Sequence, residues 1–589
     1  MCTRLSYPLA LLAASASATT PFDQKLIGPA YPAPSNLAAA SAVRAAAANI
    51  SSALGRALDS GQTPFGNFTA EATSLSLTAV SALSDDGAPI LDFHYTAAGL
   101  DASAGSTRRV TADSVYRIGS VSKLFTVYAW LLHGGARDWD RPVTDFVPEL
   151  RRAAALPGAD NAAERVQWRH VTVGALASQL SGIGRDYNNA DLASEGFPWR
   201  EAGLPPLPPG EMPTCAGNSS QPPCSRKEFF EGFTKRHPVL PPYTAPVYSN
   251  AAYRILGYVV EAMTGSPYDA VLARDVLQPL GLKHTSTSSP GGSGVGVIPP
   301  GDSGWGRPLG DEVSTGGLYS SSHDLAGFGL ALLAGKQLGP LAARRWMTPH
   351  SHTAWPSASV GAPWEITRTR SRVTGGYAVD LYTKSGSDGQ YNSLLVLVPD
   401  FQVVVSLLAA GPDSGPVAEA AAEVALQALL PALDAVGQGQ ACDVFCGTYA
   451  PADAAVNSSL VLAVDGEGPG LLVTRWISNG ADVRHAAQAY ADATRGGDIE
   501  SIRLYPTGLL HSPGGEVAFR AILQTLPPGY DASIPRIMDP GANQWSAVDQ
   551  LAYGEVAVDD FVFRLDGQGR AVAVEPRVLR QTFHRVGGE

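Results

Sequence analysis

The stretch Tyr116-Arg117-Ile118-Gly119-Ser120-Val121-Ser122-Lys123 places a lysine three positions after a serine, and an apolar run follows at once. Leu124, Phe125, Val127, Tyr128, Leu131 and Leu132 recur at helical spacing, and Gly134-Gly135 closes the run. The spacing predicts a helix that starts around Ser120. At the start of a helix, Lys123 shares a face with Ser120. A serine hydroxyl is a poor nucleophile at neutral pH and needs a base within hydrogen-bond reach. A partly buried lysine can be that base, because loss of solvent disfavours its charged form. The helix N-terminus adds N–H groups that can hold an oxyanion. Alone, S-x-x-K is a weak signal: a capping serine and a surface lysine leave the same pattern.

Two later segments strengthen it. Tyr248-Ser249-Asn250 lies in Pro246-Val247-Tyr248-Ser249-Asn250-Ala251-Ala252-Tyr253, just before a helical pattern. A tyrosine can relay a proton when nearby cations lower its pKa. Lys384-Ser385-Gly386, followed by Ser387, ends a strand-like run. A lysine there can steady the Tyr248 phenolate and a substrate carboxylate. Gly386 lets a ligand approach the strand edge, and a backbone N–H just beyond it can complete an oxyanion hole. Each segment has a mundane reading, as a turn tyrosine or a strand-end lysine. Three in this order are hard to obtain by accident.

Around these segments the chain of 589 residues is too long for one core, so at least two domains are expected. Residues 1–18 have a short basic start, an apolar stretch too short to span a bilayer, and Ala16-Ser17-Ala18, the parts of a signal peptide. Residues 19–70 read as an Ala/Ser/Pro-rich leader with a helix near 36–58. From Ser74 an alternating strand begins, and Ile90–Tyr95 reads as a second. The middle, 140–350, mixes short helices with loops, and 196–226 and 286–310 are Pro/Gly/Ser-rich loops. Strand-like runs follow at Tyr377–Lys384, Ser393–Val398 and Gln402–Leu408, then an Ala/Leu helix over 416–436. The order is two strands, a helical middle, three strands and a helix. It fits an α+β domain over 71–436, with an antiparallel sheet covered by helices. Gly437-Gln438-Gly439-Gln440 reads as a linker, and the short β-like segments over 441–589 as a small β-rich domain.

The formal net charge of −12 argues against nucleic acid and anionic membrane surfaces as partners. No segment after the N-terminus reads as a membrane span. Past Cys2, four cysteines remain in two close pairs. Of three connectivities, proximity favours the disulfides Cys215–Cys224 and Cys442–Cys446, which fit an oxidising compartment. The partner ligands of a zinc knuckle are missing. Glycosylation sequons occur at Asn49, Asn67, Asn218 and Asn457. Together these read as a secreted, extracellular chain. No G-x-S-x-G elbow, phosphate loop or H-E-x-x-H is present. His350 and His352, the one close histidine pair, read as loop residues, so no metal or cofactor is expected.

The three segments resemble those of the penicillin-binding-protein-like serine hydrolases, near the class C β-lactamases, D-aminopeptidases and related esterases. Trp139-Asp140-Arg141-Pro142-Val143 through Pro148-Glu149 resembles the family's turn after the nucleophile helix. Thr172-Val173 through Gln179-Leu180-Ser181-Gly182 resembles its L-L-x-H-x-S-G region, with Gln179 where histidine is usual. Thr315-Gly316-Gly317-Leu318-Tyr319-Ser320 through Asp324-Leu325 resembles its G-G-L-x-S-x-x-D-L segment. The third motif is K-S-G, which keeps the hydroxyl of K-T-G. The resemblance covers roughly 74–435 and implies a β-lactamase/transpeptidase-like fold. It implies Ser120 as acylated nucleophile, Lys123 and Tyr248 as proton-handling partners and Asn250 as a ligand-positioning amide. Lys384 would assist Tyr248 and the substrate, and the N–H groups of Ser120 and Ser387 would form the oxyanion hole. The second half resembles an extra C-terminal domain of some fungal relatives. The implied function is a serine hydrolase acting on an ester, amide or lactam of a small-molecule or peptide acyl substrate. Interception of the same acyl-enzyme would give an acyltransferase or cyclase of secondary metabolism, and loss of chemistry a binding protein on the same fold.

Overall fold

Strand β1 (Ser74–Ser81) forms where the alternation of Leu75, Leu77 and Ala79 predicts it, yet both of its faces are buried. The polar face is covered too: Ser76 bonds the Tyr116 hydroxyl at 3.1 Å, and Thr78 donates to Ser322 at 3.1 Å. β1 is therefore an interior strand, its polar positions satisfied by side chains. This computed structural model describes residues 28–587 except 101–102, 190, 194–196, 209, 217–220, 291–293, 370–376, 495–496, 512–514, 528, 532–533, 535–536 and 538–544. The signal peptide expected at 1–18 and the sequon at Asn218 lie outside the described residues. Asn49, Asn67 and Asn457 are exposed.

Two compact units form, one of Ala33–Thr369 with Val379–Val436, the other of the described residues of Met1–Pro32, Arg370–Ala378 and Gly437–Glu589. In the first, β1 and β2 (Leu91–Tyr95) join β3 (Ser351–His352), β4 (Ala358–Val360), β5 (Glu365–Arg368), β6 (Asp380–Asp388), β7 (Tyr391–Val398) and β8 (Val403–Ala410). The order is β2-β1-β8-β7-β6-β5-β4-β3, antiparallel throughout. Sequence reading expected five of these strands. β3, β4 and β5 were not expected, because two to four residues are too few to show alternation.

The longer helices are α1 (Ser41–Ser60), α2 (Ser122–His133), α3 (Asn250–Thr264), α4 (Ser322–Leu333) and α5 (Ser414–Phe445). α4 lies against the sheet so closely that a Cβ on Gly329 would stand 2.4 Å from Val404, and Ser406 donates to the Ser322 carbonyl at 2.7 Å. α2 is buried from Ser122 to Trp130, and Phe125 stacks on Phe328 at 4.0 Å. The helix begins at Ser122, not Ser120: a 3₁₀ turn over Gly119–Val121 precedes it, with Gly119 at φ +47°.

α5 runs unbroken through Gly437–Gln440, where a linker was expected. Each glycine costs a helix about 1 kcal/mol. Burial of Ala441 and Phe445 beyond them, and a hydrogen bond from Gln438 to the Asp465 carbonyl at 3.3 Å, offset that cost. By length and composition α5 could cross a membrane, contrary to the expectation of no such segment, although half of its most apolar window is buried in the protein.

The second unit carries β9 (Gly447–Ala450), β10 (Ser459–Ala463), β11 (Leu471–Ser478), β12 (Ala481–Asp482), β13 (Asp498–His511), β14 (Glu516–Leu526), β15 (Asp560–Leu565), β16 (Ala571–Pro576) and β17 (Phe583–Val586). Their order is β10-β9-β17-β16-β15-β14-β13-β11-β12, and β10 also pairs with β11, which closes a barrel-like ring. Phe445, Tyr449, Phe519 and Phe563 fill it, with Phe519 and Phe563 edge to face at 5.1 Å. A helix, α6 (Val483–Thr494), was not expected; its apolar positions are mostly alanine, which mark a face weakly.

Candidate active site

Ser120 sits in the 3₁₀ turn between a short strand, Val115–Arg117, and α2. Its Oγ accepts from Lys123 Nζ at 2.8 Å and from the Tyr248 hydroxyl at 2.8 Å. Lys123 is wholly buried, and Nζ also donates to Asn250 Oδ1 and to the Thr315 carbonyl, each at 2.8 Å. Asn250 and Thr315 have fixed acceptors. A neutral amine would direct its two N–H bonds at them and leave its lone pair on Ser120. Burial pushes the Lys123 pKa down to about 8, with Lys384 adding to the fall and Tyr248 opposing it.

Tyr248 is placed by its neighbours. Gln179, at φ +61°, accepts from Val247 N–H through its carbonyl at 2.9 Å and from Ser249 N–H through Oε1 at 2.7 Å. It grips the residues on both sides of Tyr248. Ser249 caps α3 through Ala252 N–H at 3.0 Å and donates to the Gly184 carbonyl at 2.8 Å. Lys123 and Lys384 lie 5.1 and 5.3 Å from the centre of the Tyr248 ring. Burial raises the Tyr248 pKa, but the two lysine charges and the hydrogen bonds with Ser120 and Lys123 outweigh it and hold the hydroxyl below its usual value.

The Ser120 segment is held against the end of β6 and the start of β7. Ser393 donates to the Ile118 carbonyl at 2.7 Å, and Arg117 pairs with Asp388 at 2.6 Å. Gly386 leaves no room: a Cβ there would stand 2.1 Å from Ile118 O and 2.8 Å from Ser120 N. A Cβ on Gly119 would stand 2.5 Å from Ser387 N. Ser385 N–H points to the β5 side of β6, where it meets Glu365 at 2.9 Å. By strand alternation Ser387 N–H points the same way, beyond the end of β5 and beside Ser120. The two amides expected to hold an oxyanion are thus neighbours.

A cavity of about 460 Å³ opens over Ser120, with Asn250, Asp186, Glu312, Arg254, Arg307 and Ser387 among its lining residues. Asn250 donates to Asp186 at 2.8 Å. Arg254 pairs with Glu312 at 3.1 Å and Arg307 with Asp388 at 2.6 Å. Burial raises the Glu312 pKa, against the pull of Arg254. Cys224, Ala216 and Pro223 form one wall, and Cys224 is bonded to Cys215; the second disulfide joins Cys442 and Cys446. Among the described residues no cluster of metal-binding side chains occurs.

Ser120, Lys123, Tyr248, Asn250, Gly386 and Ser387 therefore come together as the sequence led us to expect. Lys384 and Ser385 join them with a difference: both are bonded to Glu365. Sequence reading missed Glu365, Asp186 and the carbonyl of Thr315. Glu365 stands in a strand too short to read, and Thr315 acts through its backbone, which leaves no trace in residue type.

A family model described as "Beta-lactamase" matches residues 76–430, and one described as "Beta-lactamase-like-like, C-terminal domain" matches 437–587. A "Beta-lactamase-like protein" of Arthroderma benhamiae is 30% identical over 534 residues, covering 86% of this chain and 87% of that one. A "Probable hydrolase" of Phoma sp. is 26% identical over 505 residues, covering 82% and 80%. A solved structure titled "A class C beta-lactamase" aligns at 16% identity and a TM-score of 0.46, covering 65% of this chain and 96% of that one. With one model spanning most of the first unit and the relatives running through both, the chain belongs to the beta-lactamase family.

Proposed function

We propose that the protein is a secreted serine hydrolase that works through an acyl-enzyme on Ser120. The observation that carries this reading is the pair of 2.8 Å contacts to Ser120 Oγ, one from a buried lysine and one from a tyrosine. Neutral Lys123 takes the hydroxyl proton as Oγ bonds to the carbonyl carbon of an ester, amide or lactam. The Ser120 and Ser387 amides hold the resulting oxyanion. Collapse breaks the bond to the leaving group, which takes a proton relayed through Tyr248. Water then attacks the acyl-enzyme, the acyl–Oγ bond breaks, and the proton water gives up passes by the same route to Ser120 Oγ as the acid leaves. Secretion draws support from the two disulfides and the N-terminal sequence.

A fluorophosphonate probe tests this. Stoichiometric labelling is expected at Ser120, found by peptide mapping, together with turnover of a chromogenic ester and loss of both in Ser120→Ala. Folded protein that neither labels nor turns over ester would sink the proposal.

A further inference from the structure

Lys384 reaches the site with its charge already met. Its Nζ lies 2.5 Å from Glu365 Oε1. The other carboxylate oxygen, Oε2, accepts from the Ser385 N–H at 2.9 Å and the Ser385 hydroxyl at 2.8 Å. A cation, a backbone N–H and a hydroxyl converging on one point make a carboxylate-binding site. Here the chain fills that site itself. Glu365 opens β5 opposite Thr383 of β6, in the register that also carries Ser385, and the long Lys384 side chain reaches its carboxylate.

Access matters as much as occupancy. The Lys384 side chain is 1% exposed, whereas that of Glu365 is 37% exposed. Glu365 is the solvent-side member of the pair, so an incoming carboxylate meets it before it meets the lysine. To bind, the newcomer must displace Glu365 or lie against it. Among the described residues the other cations near the site are paired as well, starting with Arg185, which lies over the Tyr248 ring and pairs with Asp186 at 3.4 Å. Arg254 is paired with Glu312 and Arg307 with Asp388, while Asp186 adds a further acid to the wall. Lys123 is buried under Ser120, Asn250 and Thr315.

We propose that Glu365 is a specificity-determining residue: it stands in for a ligand carboxylate on Lys384 and Ser385, and so selects acyl substrates that carry no carboxylate near the reacting carbonyl. The proposal rests on the serine-hydrolase reading and narrows it to neutral esters and amides.

Two esters that differ only in this charge test it, 3-acetoxybenzoate and 3-acetoxybenzamide. The wild-type protein is expected to favour the amide-bearing ester in kcat/KM by about tenfold or more. In Glu365→Gln and Glu365→Ser the ratio of anionic to neutral kcat/KM should rise at least about tenfold. A ratio that stays within about twofold of wild type in both folded variants overturns the proposal, even if both esters are turned over. Turnover of neither ester, with no fluorophosphonate label, would instead refute the hydrolase reading. Calorimetric binding then decides the selectivity: Ser120→Ala/Glu365→Gln should bind benzoate about tenfold more tightly than Ser120→Ala. Equal benzoate affinity would overturn it.

Discussion

Raising the pH from 7 to 9 is expected to speed acylation of Ser120 about tenfold, with a midpoint near 8. Burial brings the Lys123 pKa to about 8 from an ordinary 10.5. Only the neutral amine can take the Ser120 proton, so the rate follows its fraction, about one-tenth at pH 7 and about nine-tenths at pH 9. The sign is fixed: the rate climbs with pH and levels off. An unshifted lysine would give a rise of roughly a hundredfold over the same span, with no plateau. The assay is the rate constant for fluorophosphonate labelling between pH 6 and 10, in protein shown by circular dichroism to stay folded. Lys123→Arg supplies the perturbation, since arginine stays charged throughout this range. It should abolish the limb and slow labelling by about 10²–10⁴-fold. A flat profile in the wild type, or an intact limb in Lys123→Arg, would refute the assignment of Lys123 as base.

Tyr248→Phe should slow labelling by about 10²-fold or more and move the midpoint to lower pH, because the tyrosine charge holds the Lys123 pKa up; an unmoved midpoint counts against the coupling. Gly386→Ala should cost both activity and about 1–3 kcal/mol of stability, read by ester turnover and thermal melting, since its Cβ would fall 2.1 Å from Ile118 O; a fully active variant would show that the strand end can move away. Replacing Cys215 and Cys224 by serine opens a bridge between residues nine apart and should cost about 2–3 kcal/mol, with KM rising more than kcat falls, because Cys224 lines the cavity. Phe563→Ala removes a ring packed on Phe445 and Phe519 and should cost about 3–5 kcal/mol by denaturant titration; a loss under about 1 kcal/mol would mean the barrel interior collapses around the gap.

The parts of this architecture that were legible in the sequence are those written in residue type and period. α2 announced itself by apolar spacing, and β7 and β8 by runs long enough to count. Ser120, Tyr248 and Lys384 stood out because their chemistry depends on side chains. What escaped depends on three-dimensional closure. The two-residue β3 has no pattern of its own and exists because β4 offers it a partner. The Thr315 carbonyl is common to every residue type. Glu365 carried no mark in the sequence until β5 was laid beside β6. Gln179 was visible as a departure from the pattern the sequence resembles, but its grip on Val247 and Ser249 was not. The linker expected at 437–440 failed because glycine is a local signal, and burial of Ala441 and Phe445 decides that stretch.

The central pairing of β1 with β8 joins segments more than 300 residues apart, with Ser81 opposite Val403 and Ser74 opposite Ala410. A chain made from its N-terminus at about 5–20 residues per second would therefore hold β1 without its partner for roughly 15–60 seconds. Leu75, Leu77 and Ala79, all fully buried in the finished sheet, have β2 on one side for that interval and no strand on the other. The domain is a late closer. Its yield during synthesis depends on what shields that edge until the chain reaches Ala410, and truncation anywhere before β8 leaves it open in the unit that carries Ser120.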